Sequence, residues 1–278
     1  MGSAKCGRLG GGLVDNFETP IDINELNNVT AIVSGSANTV ARNCKGQVLT
    51  FGKDVDGSLG IGDANPETVC ENRPANPTPK ALPGLPKMVS VFKGGDLTFF
   101  AVAAEGSLFG WGSGKQDQFG PPEGLRSPDR PAPALVAGMG ITAVRAVAAT
   151  ATSIHALRAD GTVWGWGLNT NGEFGDGSTT PKNKPTQLNI SNITQIASNQ
   201  NNFVYALDDK GNVLRWGNCI EPLCSPARPL PPSVLSDLPA IRQLSPCTNR
   251  VFALSADGRV FGLYPAAKEA ADLTDKFK

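Results

Sequence analysis

The stretch Asp160–Gly167, DGTVWGWG, decides the fold. A short apolar run alternates Trp with Gly directly after an Asp-Gly pair, and the chain repeats that arrangement. Gly46, Gly106, Gly161, Gly211 and Gly258 each open such a run, as CKGQVLTFG, AEGSLFGWG, ADGTVWGWG, DKGNVLRWG and ADGRVFGLY. Successive copies lie 60, 55, 50 and 47 residues apart. A recurrence at that interval is the signature of a repeat architecture and takes precedence over every other sequence signal.

The copies agree on both sides of the glycine. Two residues after it stand Val48, Leu108, Val163, Val213 and Val260; five after it stand Phe51, Trp111, Trp166, Trp216 and Leu263. Five before it is always Ala: Ala41, Ala101, Ala156, Ala206, Ala253. Six before it are Val40, Phe100, His155, Tyr205 and Phe252, and four before it Arg42, Val102, Leu157, Leu207 and Leu254. Both parities are largely apolar, so each strand is covered on both faces. The Gly pair between them reads as a hairpin turn, where glycine takes a positive φ without steric cost. A further strand precedes each hairpin (AVRAVAAT in the third copy) and a short one follows near Pro185–Leu188. Four strands per period of about 50 residues predict radially stacked blades. Trp, Phe and Leu then fill the space between blades, and the alternating Gly admits the next backbone.

The third unit, AVAATATSIHALRADGTVWGWGLNTNGEFGDGSTTPKNKPTQL, resembles the repeat of the regulator-of-chromosome-condensation propellers. Ala156-Leu157, Asp160-Gly161, Trp166-Gly167, Asn169, Gly172, Phe174-Gly175 and Gly177 carry the likeness. Gly57, Leu59-Gly60 and Gly62 continue it in unit one, Trp111-Gly112 and Phe119-Gly120 in unit two, and Ala206-Leu207 and Trp216-Gly217 in unit four. The chain departs from the family at the His before the Ala-Leu pair, where Asn38, Thr98, Ser153, Phe203 and Arg250 stand. This is a diverged member. The resemblance implies an all-β propeller of about five four-stranded blades, or part of the family's usual seven-bladed type.

The expected division within a single propeller domain, 1–278, is an N-terminal half-unit at 5–30, units at 31–89, 90–143, 144–193 and 194–240, a partial fifth unit at 241–264 and a tail at 265–278. CGRLGGG, Cys6–Gly12, looks like the repeat's Gly-rich segment, and TPIDINEL like its closing strand. This half-unit is expected to close the ring by completing the last blade with the C-terminal unit. The tail, PAAKEAADLTDKFK, opens on Pro and is rich in helix formers, which predicts a short helix or a frayed end.

Composition limits function. Lys plus Arg and Asp plus Glu both number 25, for a net charge of zero. Nucleic-acid binding, which draws its affinity from phosphate contacts, is disfavoured, and so is chromatin. No run approaches the apolar length of a membrane helix, so no membrane partner is expected. MGSAKCGRLG has no apolar core of a signal peptide. The six cysteines, Cys6, Cys44, Cys70, Cys219, Cys224 and Cys247, permit disulfides, with a small Cys219–Cys224 bridge compatible with the intervening IEPL. With sequons at Asn28, Asn189 and Asn192, they lean toward an exported or cell-surface protein.

Each chemical motif has a packing reading that accounts for it better. His155, the single His, occupies a blade-face position filled elsewhere by Val, Phe and Tyr, rather than the place of a general base. No G-x-S-x-G elbow supports a hydrolase triad. GWGSGKQD, Gly110–Asp117, lacks the first Gly and the Ser/Thr of a phosphate loop. DVDGSLGIGD, Asp54–Asp63, lacks EF-hand spacing and its final Glu. No C-x₂-C pair points to zinc. The sequence therefore predicts no catalytic residue, no metal and no cofactor. Two Pro-rich segments, Asp63–Pro86 and Ser113–Leu135, exceed what the fold requires, and long loops on a rigid scaffold often bind. Arg126, Asp129 and Arg130 are the expected partner-binding residues. The predicted function is a non-catalytic protein-interaction propeller with another protein as partner. The alternatives are a guanine-nucleotide exchange factor for a small GTPase, and an exported inhibitor or ligand-binding propeller.

Overall fold

The computed structural model describes residues 7–12, 19–62, 76–95, 97–115, 117–120, 128–136, 141–199, 202–219, 228–247, 250–263 and 270–276. Among the described residues twenty strands form five four-stranded sheets, each antiparallel and each in simple chain order. The first holds β1 (Val29–Ser34), β2 (Asn38–Asn43), β3 (Val48–Gly52) and β4 (Lys80–Ala81); the second β5 (Met88–Lys93), β6 (Thr98–Ala103), β7 (Leu108–Gly112) and β8 (Arg130–Leu135). The third holds β9 (Val144–Ala149), β10 (Ser153–Arg158), β11 (Val163–Gly167) and β12 (Lys182–Gln187); the fourth β13 (Ile193–Ser198), β14 (Phe203–Asp208), β15 (Val213–Cys219) and β16 (Arg228–Val234). The fifth holds β17 (Ile241–Pro246), β18 (Val251–Ser255), β19 (Val260–Leu263) and β20 (Ala271–Asp272). Two compact units carry them: one has the first two sheets, the other the last three together with residues 117–120.

The expected hairpins are β2–β3, β6–β7, β10–β11, β14–β15 and β18–β19. Residues of both parities in β6 are buried throughout, as the sequence pattern requires. The fourth strand of the fifth sheet comes from the C-terminal tail, where a helix or frayed end is expected, and not from the N-terminal half-unit. A strand of two residues leaves no hydrophobic period to read, so the helix formers of the tail dominate its appearance in sequence. The described N-terminal residues sit on the first sheet instead: the Gly12 N–H donates to the Pro77 carbonyl at 2.9 Å, and Gly10 lies against the Phe51 ring.

One packing rule recurs within the units. The first and fourth residues of each sheet's leading strand point one way, and a β-bulge separates the first from the third. Met88 and Val91 join Val40 and Val48 of the sheet before; Ile193 and Ile196 join Leu157 and Val163; Ile241 and Leu244 join Tyr205, Leu207 and Val213. Apolar pegs thus enter an apolar socket on the preceding hairpin, removing the apolar surface of both from water.

Trp111, Trp166 and Trp216 are fully buried, as wedges between blades should be. The glycines beside them act differently from expectation. A Cβ on Gly165 would meet the Phe174 ring at 2.7 Å, and one on Gly167, at φ +114°, would meet the Thr152 carbonyl oxygen at 2.6 Å. Both make room for parts of their own repeat, an aromatic ring and a hairpin backbone, not for the backbone of the next blade.

Candidate interaction site

The expected site lies where β7 leaves the second sheet and β8 returns. In the first and third units the corresponding turn is held from within by a side chain three residues after the aromatic. Asp54 Oδ1 accepts the Leu59 N–H, and Asn169 Oδ1 accepts the Phe174 N–H, both at 3.0 Å. The second unit has Gly114 there, with no side chain to do this. Its anchor arrives from the far end of the connection: Asp129 Oδ1 accepts the Gly114 N–H at 2.9 Å and the Ser113 hydroxyl at 3.3 Å.

Around this anchor the charges alternate. Lys115 Nζ donates to Asp56 Oδ2 at 2.6 Å. That hydrogen bond to Asp56 is the main reason the ammonium pKa is raised; the nearby Asp129 charge acts in the same direction. Arg130 opens β8 opposite Gly112, and its Nη1 donates to the Leu135 carbonyl at 3.3 Å. Partial burial of the guanidinium lowers its pKa from the usual value. The structure thus brings Asp129 and Arg130 together with Lys115 and Asp56. Arg126 lies outside the described residues. Of these four, Lys115 and Asp129 are exposed, and Asp56 and Arg130 are half-buried.

The other chemical candidates are occupied by the fold. His155 is fully buried, its Nε2–H donates to the Glu173 carbonyl at 2.9 Å, and burial pushes its pKa down to about 4. The same carbonyl accepts the Trp216 indole N–H at 2.6 Å. The Glu173 carboxylate is itself buried and accepts from the Thr152 hydroxyl and from the Asn171 backbone and side chain. Asn169, fully buried, spans its loop by donating to the carbonyls of Ser178 and Thr180. Sequence reasoning gave Glu173 and Asn171 no role; the polar TNGE ahead of the buried Phe174 is the signal that marks them. Among the described residues no three His, Cys, Asp or Glu side chains gather as a metal site.

Cys44 and Cys247 carry exposed free thiols. Cys6, Cys70, Cys224 and the Cys219–Cys224 bridge lie outside what the structure describes. The sequon residues Asn28 and Asn192 adopt φ of 54° and 58° immediately before β1 and β13. Asn tolerates that left-handed conformation better than most residues, which explains their identity as turn formers.

Five four-stranded antiparallel blades on one repeat define a β-propeller. Solved structures agree: human WBSCR16 superposes with a TM-score of 0.76 at 19% identity, covering 99% of this chain and 75% of that one. Prp20p from Saccharomyces cerevisiae gives 0.59 at 16% identity, covering 98% and 84%. The family model of the Regulator of chromosome condensation (RCC1) repeat matches residues 45–101 and 160–202, so these stretches of the propeller are RCC1-type repeats. Curated relatives include the E3 ubiquitin-protein ligase HERC2 of Mus musculus, 28% identical over 69% of this chain and 4% of its own length. The ultraviolet-B receptor UVR8 of Arabidopsis thaliana is 28% identical over 76% and 46%, and protein pim1 of Schizosaccharomyces pombe 34% over 48% and 25%. The chain thus spans less than half the length of these relatives.

Proposed function

We propose that this chain is a non-catalytic protein-interaction propeller whose partner contacts the β7–β8 connection through Arg126, Asp129 and Arg130. The observation that carries the reading is the division of labour among polar groups. The buried ones, His155, Glu173, Asn169 and Asp54, all serve packing and loop closure, whereas Lys115 and Asp129 are exposed and Arg130 is half-buried on a connection longer than the fold requires. Yeast RCC1 (Prp20) was solved bound to Kap60, and Prp20p has been described by its binding to Gsp1p and histones, so propellers of this repeat do bind proteins.

The test is affinity capture with the wild-type chain as bait, followed by titration of the captured protein against Arg126→Glu and Arg130→Glu. An expected loss of tenfold or more corresponds to about 1.4 kcal/mol. Equal affinity of all three forms would remove the connection as the site. The binding of Prp20p to Gsp1p favours a second reading, nucleotide exchange on a small GTPase. That reading requires acceleration of labelled-GDP release from at least one member of a GTPase panel.

A further inference from the structure

Strand β16 is the outermost strand of the fourth sheet, and it reads Arg228-Pro229-Leu230-Pro231-Pro232-Ser233-Val234. The outermost strand of the third sheet, β12, guards its edge with Lys182, Lys184 and one proline, Pro185. Charge and proline are the usual means of keeping an exposed edge from pairing with another chain. β16 departs from that rule. It has three prolines within four residues and no charge from Pro229 to Val234, and Val234 is 56% exposed. Edge protection explains a proline; it does not explain apolar side chains left in water where β12 places lysines.

The backbone of this strand is preset. Each proline fixes φ near about −65°, and the residues before them, Arg228, Leu230 and Pro231, are driven to extended geometry. That combination is a polyproline II helix, with three residues per turn. Burial follows the same period of three, not the two of a strand. The row Pro229, Pro232, Leu235 turns inward. A Cβ on Gly172 would collide with the Pro229 ring, and one on Gly175 would lie 2.8 Å from Pro232 Cδ. Leu235 packs against the core shared by the fourth and fifth sheets. The two remaining rows face out: Pro231, Ser233 and Val234 are exposed and Leu230 is half-buried. The ladder to β15 shifts at the same place, since Gly217 pairs with Leu230 and Arg215 with Ser233, leaving Pro231 and Pro232 opposite Trp216 alone.

A helix with three residues per turn is triangular in section, so a groove that receives it takes two rows and leaves the third pointing away. In β16 the third row is already seated on the protein and the other two are presented. We propose that β16 is a docking strand for an SH3-type domain. The aromatic-lined groove of such a domain takes Leu230–Pro231 in one pocket and Ser233–Val234 in the next. The prolines and the packing of Pro229 and Pro232 hold the strand in its bound shape, so less freedom is lost on association than from a free peptide. No strand pairs with β16 on its outer side, so the sheet stays closed while the groove engages. This surface belongs to a different element from the β7–β8 connection and stands or falls independently of it.

The full chain titrated against a panel of isolated SH3 domains tests this, with binding followed by calorimetry and folding by urea midpoint. The expected result is saturable binding of one domain per chain by at least one member. For that domain Pro231→Ala and Val234→Glu should each weaken binding by about tenfold or more, with the urea midpoint nearly unchanged. Pro232→Ala should do the reverse, lowering the midpoint through lost packing on Gly175 while the affinity holds. A free peptide of residues 228–234 should compete for the same domain and bind it more weakly than the folded chain. The proposal is overturned if no domain binds, if the bound domain ignores both Pro231→Ala and Val234→Glu, or if Pro232→Ala weakens binding as much as they do. Self-association of the wild type that Val234→Glu abolishes, without SH3 binding, would assign the strand to a second copy of the chain and overturn it equally.

Discussion

Gly112 ends β7 at φ +96°, and a Cβ there would lie 2.0 Å from the Leu97 carbonyl oxygen. Backbone cannot swing aside as a flexible side chain does, so two penalties combine in Gly112→Ala. Left-handed strain alone costs about 1–2 kcal/mol, and the overlap raises the expected total to at least about 3 kcal/mol. Gly177 has φ +79° and open space around it, so Gly177→Ala should cost only about 1 kcal/mol. Urea midpoints of the two variants separate crowding from backbone strain. His155 offers a second test at this scale. Its folded pKa of about 4 lies below the ordinary 6.5, so the unfolded chain takes up the proton first as pH falls. This contribution is complete above pH 6.5 and is lost downward toward pH 4, with a slope of at most about 1.4 kcal/mol per pH unit. His155→Phe, the residue at this place in the second and fifth units, should remove that slope. Between pH 6.5 and 5, urea unfolding should show wild type losing about 1.5 kcal/mol more than the variant.

Among elements, the β7–β8 connection shows what sequence can and cannot reveal. The hairpins were legible because burial on both faces writes Ala, Val, Leu and Trp at fixed offsets from one glycine. Asp129 as an anchor was not, because its partners Ser113 and Gly114 are far away in sequence and a Gly at 114 gives no sign of needing a carboxylate. The choice of Asp129 and Arg130 rested on loop length alone, and the structure adds that one of the pair also holds its own loop. Asp129→Ala should therefore loosen the turn by about 1–2 kcal/mol, the cost of orphaning a bonded amide. Amide exchange at Gly114 should quicken, while Asp129→Asn, which retains the acceptor oxygen, should leave it nearly unchanged. Unchanged Gly114 exchange in the Ala variant would refute the anchoring role. The short β20 was hidden for another reason: two residues of edge strand carry no pattern, and their neighbours favour helix.

For the whole molecule, stability in a repeat array is set by each unit and its nearest neighbours. The same side chain should then matter in proportion to what covers it, which sequence alone does not disclose: V-T-A-I in β1 and I-T-Q-I in β13 read alike, yet Ile32 is 59% exposed and Ile196 7%. Ile196→Ala removes a peg from a filled socket and should cost about 2–4 kcal/mol, for lost burial plus the cavity left behind. Ile32→Ala in dilute solution should fall within about 0.5 kcal/mol of wild type, as surface changes do. Equilibrium urea unfolding at nanomolar concentration, followed by intrinsic Trp fluorescence, measures both. Equal costs for Ile32→Ala and Ile196→Ala would mean that burial does not set what a peg contributes, and the peg-and-socket account would have to be abandoned.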